Sequence, residues 1–181
     1  MRLFVAVPMP AETTRELAAA VERMRKRPGA EDLRWSPPES WHTTLQFLGN
    51  AGPDEYACLL DRLRGVRAAP MKIVPEKIGA FGRVGILHAG VKPTRELLEL
   101  EKRVTQATAA CGFAREDRPY CPHITLARRR GRGGRNGITS VAEKNRELVP
   151  FKGFTAHEFA LYESLLGGAA RYEIRERFPL G

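Results

Sequence analysis

His42-Thr43-Thr44-Leu45 returns as His123-Ile124-Thr125-Leu126 eighty-one residues later, and this recurrence decides the fold. A single H-x-T-L would carry little information. The surroundings recur as well: Thr14-Arg15-Glu16-Leu17 comes back as Thr94-Arg95-Glu96-Leu97 at an offset of eighty, each shortly after a proline, Pro10 or Pro93. Near the other end of the repeat, Phe154, Phe159 and Tyr162 echo Ile73, Ile78 and Phe81 at the offset of eighty-one. Such a duplication predicts one bilobal domain over residues 1–181, with repeats of roughly 1–92 and 93–181 facing each other. A residue present once per lobe then stands twice around a shared cleft. Here that residue is histidine, whose unperturbed pKa of about 6.5 suits it to exchange protons near neutrality.

Side chains at i and i+2 of a strand point to the same face. His42 and Thr44 therefore share one face, and Trp41, Thr43, Leu45 and Phe47 fall on the other, mostly apolar one. In the second copy His123 and Thr125 oppose Ile124 and Leu126. Each lobe offers one imidazole and one hydroxyl from a strand whose back is anchored in a core.

A chain of 181 residues with 43% hydrophobic residues can bury a sizeable core and fits an ordinary globular protein. The net charge is +9, and arginine supplies 23 of the 30 basic residues. Guanidinium forks match phosphate oxygens bidentately, so this excess suits a polyanionic partner; charge alone fits a merely soluble, arginine-rich surface about equally, and the repeated histidines shift the balance toward phosphate. Cys58, Cys111 and Cys121 form neither an even framework nor a C-x-x-C, which predicts reduced thiols and a cytoplasmic protein. Cys121 with His123 lacks the spacing of a structural zinc site, and no cofactor or metal is expected. The apolar run from Leu3 to Val7 is too short for a signal peptide, and no segment approaches membrane-spanning length.

Hydrophobic periodicity places a strand at Arg2 to Val7 and a helix after Pro10 with Leu17, Ala20, Val21 and Met24 on its buried stripe. Strands follow at Leu33 to Trp35 and Trp41 to Leu48, then a helix carrying Leu59, Leu60 and Leu63. Met71 to Phe81 and Val84 to Val91 read as paired extended segments across Gly82. The second half restarts with a helix from about Pro93 to Ala110, buried through Leu97, Leu100, Val104 and Ala107. Tyr120 to Arg128 is the second H-x-T strand. Residues 128–135 then hold five arginines among glycines, a solvated loop or a landing strip for phosphates. Phe151 to Tyr162 and Ala169 to Leu180 read as a closing hairpin across Gly167-Gly168.

Two imidazoles across one cleft, each beside a hydroxyl in a basic protein, fit phosphodiester cleavage by general acid and base. In-line displacement at phosphorus takes a proton from the attacking oxygen and gives one to the leaving oxygen on the opposite side. Thr44 and Thr125 would donate to the non-bridging oxygens, as preorganised stabilisers of transition-state charge. Spacing alone does not say which histidine is acid and which is base.

The chain resembles the two-histidine phosphoesterase superfamily, and within it the RNA 2',3'-cyclic phosphodiesterases once called 2'-5' RNA ligases. The resemblance spans nearly the whole chain: the opening R-L-F-V-A-V-P, W-H-T-T-L-Q-F-L-G from Trp41 to Gly49, Phe81-Gly82, P-H-I-T-L-A-R from Pro122 to Arg128, and the closing Y-E-S-L-L and F-P-L. It implies an α+β fold with an antiparallel sheet and flanking helices in each lobe and a cleft between the lobes. It also implies metal-independent opening of a terminal 2',3'-cyclic phosphate to a 2'-phosphomonoester, with His42 as proton donor to the departing 3' oxygen and His123 as proton acceptor from water. Arg128, at the end of the second motif, would neutralise the phosphate, although strict alternation from His123 turns it away unless the strand bulges.

His88 stands where members of this family commonly carry tryptophan. It is read as structural, with substrate contact as the alternative, and His157, with no motif around it, as a surface residue. The expected partner is RNA or a nucleotide with a 2',3'-cyclic phosphate end, met by a monomer with no membrane contact. Two other readings remain open: 2'-5' end joining, or hydrolysis of another cyclic or 2'-5' phosphodiester, by the same acid and base; and an RNA-binding module without catalysis.

Overall fold

The computed structural model describes residues 1–131, 136–165 and 171–181. In chain order its elements are β1 (Arg2–Pro8), α1 (Ala11–Arg25), β2 (Leu33–Trp35), β3 (His42–Asn50), α2 (Pro53–Arg64), β4 (Met71–Ile73), β5 (Pro75–Phe81) and β6 (Ile86–Val91). There follow α3 (Arg95–Ala109), β7 (His123–Arg129), α4 (Asn136–Lys144), β8 (Phe154–Ala156), β9 (Glu158–Leu165) and β10 (Arg171–Pro179). Two four-stranded antiparallel sheets, β10-β9-β1-β3 and β2-β7-β6-β5, carry one H-x-T strand each. The fold is α+β and bilobal.

The helices bury the stripes that the 3.6-residue period marks. Leu17, Ala20, Val21 and Met24 of α1, Leu59 and Leu63 of α2, and Leu97, Leu100 and Val104 of α3 are all buried. Thr94 caps α3 by accepting from the Leu97 amide at 3.3 Å, whereas its copy Thr14 lies inside α1, which starts directly after Pro10. Helix α4 was not legible as a separate element. Its Ile138, Val141 and Ala142 are buried on one face, but the segment is short and follows the arginine run. The Gly167-Gly168 turn and Arg132 to Arg135 lie outside the described residues.

Neither sheet is built from one half of the sequence. Strands β5 and β6, from the first repeat, pair with β7 of the second, and β9 and β10 return to pair with β1. The exchange passes through the small β4-β8 sheet, where Ile73 sits opposite Phe154, its own copy in the repeat. For this reason the expected continuous strand from Met71 to Phe81 divides: β4 pairs in the small sheet and β5 in the large one.

Both H-x-T strands carry a bulge at the same place. On β3 the register runs from Thr44 opposite Ala6 to Gln46 opposite Val5, leaving Leu45 as the extra residue. On β7 it runs from Thr125 opposite His88 to Ala127 opposite Leu87, leaving Leu126 extra. Two consecutive residues are buried at each bulge, Leu45 with Gln46 and Leu126 with Ala127, and the alternation changes phase. This overturns the expectation for Phe47, which does not join the apolar back of the strand. It emerges on the histidine face and is 58% exposed.

The cysteines also depart from expectation. Cys58 in α2 and Cys111 just after α3 form a disulfide, their Cα atoms 5.8 Å apart, and Cys121 is an exposed thiol. Packing of α2 on α3 brings together residues 53 positions apart, which no spacing rule would pair. Cysteine usage therefore carries no argument about compartment. No helix among the described residues is long and apolar enough to cross a membrane.

Candidate functional site

Strands β3 and β7 face one another across the cleft, and each holds its histidine in the same way. The Nδ1 of His42 lies 2.7 Å from the Ser40 carbonyl oxygen, and the Nδ1 of His123 lies 2.7 Å from the Cys121 carbonyl oxygen. A carbonyl only accepts, so in each ring Nδ1 is the donor and Nε2 remains to take or give a proton. The carbonyl comes from two residues before the histidine in both lobes. Ser40 closes a short 3-10 turn at Pro38–Ser40 that aims its carbonyl, with its own hydroxyl bonded to Pro37 at 2.7 Å. Cys121 serves through its backbone, not its thiol.

A cavity of about 470 Å³ opens beside these strands. Its wall includes His42, Thr44, Thr125, Arg128, Phe47 and Arg34. Thr44 and Thr125, two residues on from their histidines, reach the cleft as the alternation predicts. Arg128 reaches it too, because the bulge at Leu126 supplies the phase change it needs. Tyr120 ties the lobes together by donating from its hydroxyl to the Thr44 carbonyl at 2.9 Å.

The two rings sit in different surroundings. His42 packs against Phe4, Tyr162 and Tyr172, with ring centroids 4.8, 5.5 and 5.3 Å away. Burial draws its pKa down to about 4 against the lift from the Ser40 carbonyl, and the charges of His123 and Arg128 push it the same way. His123 has Phe81 at 5.0 Å and His88 at 5.4 Å. Its pKa is also lowered, first by burial and further by Arg128, against the lift from the Cys121 carbonyl.

His88 stands opposite Thr125 on the cleft face of β6, stacked on Phe81 at 4.2 Å. Burial and the neighbouring His123 lower its pKa to about 4. A Cβ on Gly79 would come within 2.8 Å of its ring, so the glycine is what admits the imidazole. The register gives Ala6 as its counterpart in the other lobe. His157 is exposed on the surface, away from the cleft.

Sequence reading missed several parts of this site. Phe47 and Arg128 each lie five residues after a histidine, and their common spacing was the signal that both emerge on the cleft face. Arg34 was hidden by distance along the chain: it is the register partner of Arg128 across β2 and β7. Arg129, the sequence neighbour, is opposite the buried Leu33 and turns away from the cavity.

The sequence profile of the 2'-5' RNA ligase superfamily matches residues 13–168. Among curated proteins, the RNA 2',3'-cyclic phosphodiesterase of Bacillus subtilis is 30% identical over 98% of this chain and 95% of its own length. The protein of the same name from Geobacillus stearothermophilus is also 30% identical over 98% of this chain, which spans 56% of that longer protein. Among solved structures, E. coli LigT in complex with 3'-AMP superposes with a TM-score of 0.81 at 25% identity, over 99% of this chain and 97% of LigT. A Thermus thermophilus protein superposes with a TM-score of 0.77 at 27% identity, over 99% of this chain and 97% of its own.

Proposed function

The chain belongs to the 2'-5' RNA ligase superfamily, and from that premise we propose that it hydrolyses 2',3'-cyclic phosphate ends of RNA to 2'-phosphomonoesters with its two histidines as acid and base. The observation that carries the reading is the matched pair of Nδ1 to carbonyl bonds at 2.7 Å, which presets both rings in the same tautomer on the facing strands β3 and β7. Water attacks phosphorus in line with the departing 3' oxygen. Nε2 of His123 takes the proton from that water, and Nε2–H of protonated His42 gives one to the 3' oxygen as the P–O3' bond breaks. The 2' ester bond stays intact. Thr44 and Thr125 donate to the non-bridging oxygens, and Arg128 neutralises the charge gathered there. The exposed ring of Phe47 offers a surface for the base.

A pKa drawn down to about 4 leaves His42 neutral at pH 7, so it needs the substrate's charge to act as an acid. An anionic phosphate supplies negative charge beside it, offsets Arg128 and raises its pKa toward the working range. The binding of substrate thus prepares the acid.

The test is product analysis on nucleoside 2',3'-cyclic phosphates, with phosphorus NMR against both isomer standards. The 2'-phosphate is the expected product. A dominant 3'-phosphate would reverse the orientation assigned to the histidines, and substrates bound but left intact would make the protein a binding module.

A further inference from the structure

We infer that Arg34 forms a second anion subsite, which takes the phosphate on O5' of the nucleotide whose 2',3' end occupies the histidine cleft. The inference rests on the cyclic-phosphate reading above and deepens it to a preference for substrates with two phosphates.

The charge of the cavity is the first ground. Arg2, Arg34 and Arg128 all line it, and among the described residues no aspartate or glutamate does. Several arginines elsewhere have a carboxylate at hand, as Arg25 has Glu22, Arg64 has Glu176, Arg103 has Glu99 and Arg177 has Glu158. Among the described residues the three cavity arginines make no ion pair. A cyclic phosphate carries one negative charge, which Arg128 offsets, and two cations then remain uncompensated.

The second ground is placement. Arg34 and Arg128 are direct register partners on β2 and β7, so their side chains leave the same face. Like charges directly opposite across a strand pair destabilise it, and an anion between or beside them removes that penalty. Arg129 does not share the face, so the pairing belongs to Arg34 alone. Arg2, at the start of β1 opposite Asn50, lines the same cavity from the sheet that carries His42.

The third ground is the substrate's own chemistry. A terminal ribose with its 2' and 3' oxygens closed on one phosphorus has one remaining phosphate position, O5'. In an RNA chain that phosphate is a diester to the preceding nucleotide, and in a free nucleotide it is a monoester. Both present oxygens that a guanidinium fork can hold bidentately.

Three substrates test the subsite: a nucleoside 2',3'-cyclic phosphate, the same compound with a 5'-phosphate, and a dinucleotide ending in the cyclic phosphate. Arg34→Gln is expected to lower kcat/KM about 10- to 100-fold on substrates with the second phosphate, the size of a lost charged hydrogen bond, and less than about threefold on the first. Arg34→Lys should recover part of the loss. A loss on both two-phosphate substrates assigns the subsite to any 5' phosphate, and a loss on one alone assigns it to the monoester or the diester. Equal losses on all three substrates, or none on any, overturn the subsite. Calorimetry separates this from failure of the proposed reaction: the wild type should bind a nucleoside 2',5'-bisphosphate more tightly than the 2'-monophosphate, and Arg34→Gln should erase the difference. If both proteins bind the two ligands alike, the inference fails whatever the turnover.

Discussion

Five residues after its histidine one lobe presents Phe47 and the other Arg128, although both strands share the same bulge and bury the same positions. The surroundings diverge in the same sense. Around His42 stand Phe4, Tyr162 and Tyr172; around His123 stand Phe81 and His88, with Arg34 beside Arg128 on the same sheet. Even the bulges are anchored differently. Gln46 accepts from the Thr108 hydroxyl at 2.6 Å and donates to the Ala114 carbonyl at 3.3 Å, while its counterpart Ala127 has only apolar packing. What is duplicated is imidazole, hydroxyl, clamping carbonyl and bulge, the parts that the proposed reaction would use to move protons. What differs gives the cleft a direction. Phe47 stands on one strand and the pair of Arg34 and Arg128 beside the other, so under the proposed reaction a nucleotide with a base at one end and phosphate at the other fits one way round.

The sharpest way to break this comparison is to remove its symmetric part. His42→Ala and His123→Ala should each lower kcat on a cyclic phosphate by about 10²- to 10⁴-fold with the fold retained. The double variant should be little worse than the poorer single one, because acid and base act as a unit. A single variant that keeps near wild-type turnover would mean that the lobes do not share the chemistry.

The asymmetric part makes a different prediction. Arg128→Gln should cost about 10- to 100-fold in kcat/KM through the lost charged contact. It should also move the pH profile. Arg128 contributes to lowering both histidine pKa values, so removing its charge raises both. The wild-type maximum of kcat/KM, which reports the free enzyme, is expected below about pH 6.5. The variant's maximum should shift to higher pH, and an unmoved profile would show that Arg128 does not share the field of the two rings.

The smallest effect on activity belongs to the disulfide. It joins α2 to the end of α3, which packs on β3 and so braces the His42 lobe; the other lobe has no such link among the described residues. Closing a loop of this length stabilises by about 4 kcal/mol, so Cys58→Ser should lower the melting temperature by about 10 °C. Turnover at 25 °C should change by less than about twofold. Calorimetry and an assay at that temperature check the two halves of this expectation.

The buried stripes of α1, α2 and α3 and the positions of the H-x-T strands were legible because they depend on local period alone. Thr44 and Thr125 were placed correctly for the same reason, since two residues of regular strand separate each from its histidine. Phe47 was misplaced, because strict alternation was carried past Leu45, whereas the bulge there is set by how β3 pairs with β1. Helix α4 was missed because three apolar residues beside a run of arginines give too short a period to read. His88 was read as structural because its copy in the repeat is not a histidine, and only the pairing of β6 with β7 sets it beside Thr125.

The amino-acid sequence by itself determined that the chain is duplicated, that each copy presents a histidine and a threonine on one strand face, and that the molecule is strongly basic. These are properties of order and composition, and they hold before any contact forms. Only the tertiary structure decided which strands make up a lobe, because β5 and β6 cross to β7 while β9 and β10 return to β1. It also decided which arginine stands with Arg128. Chain neighbours on a strand point to opposite faces, whereas register partners point to the same one. Arg129, one residue away, is therefore lost to the site, and Arg34, distant in sequence, joins it.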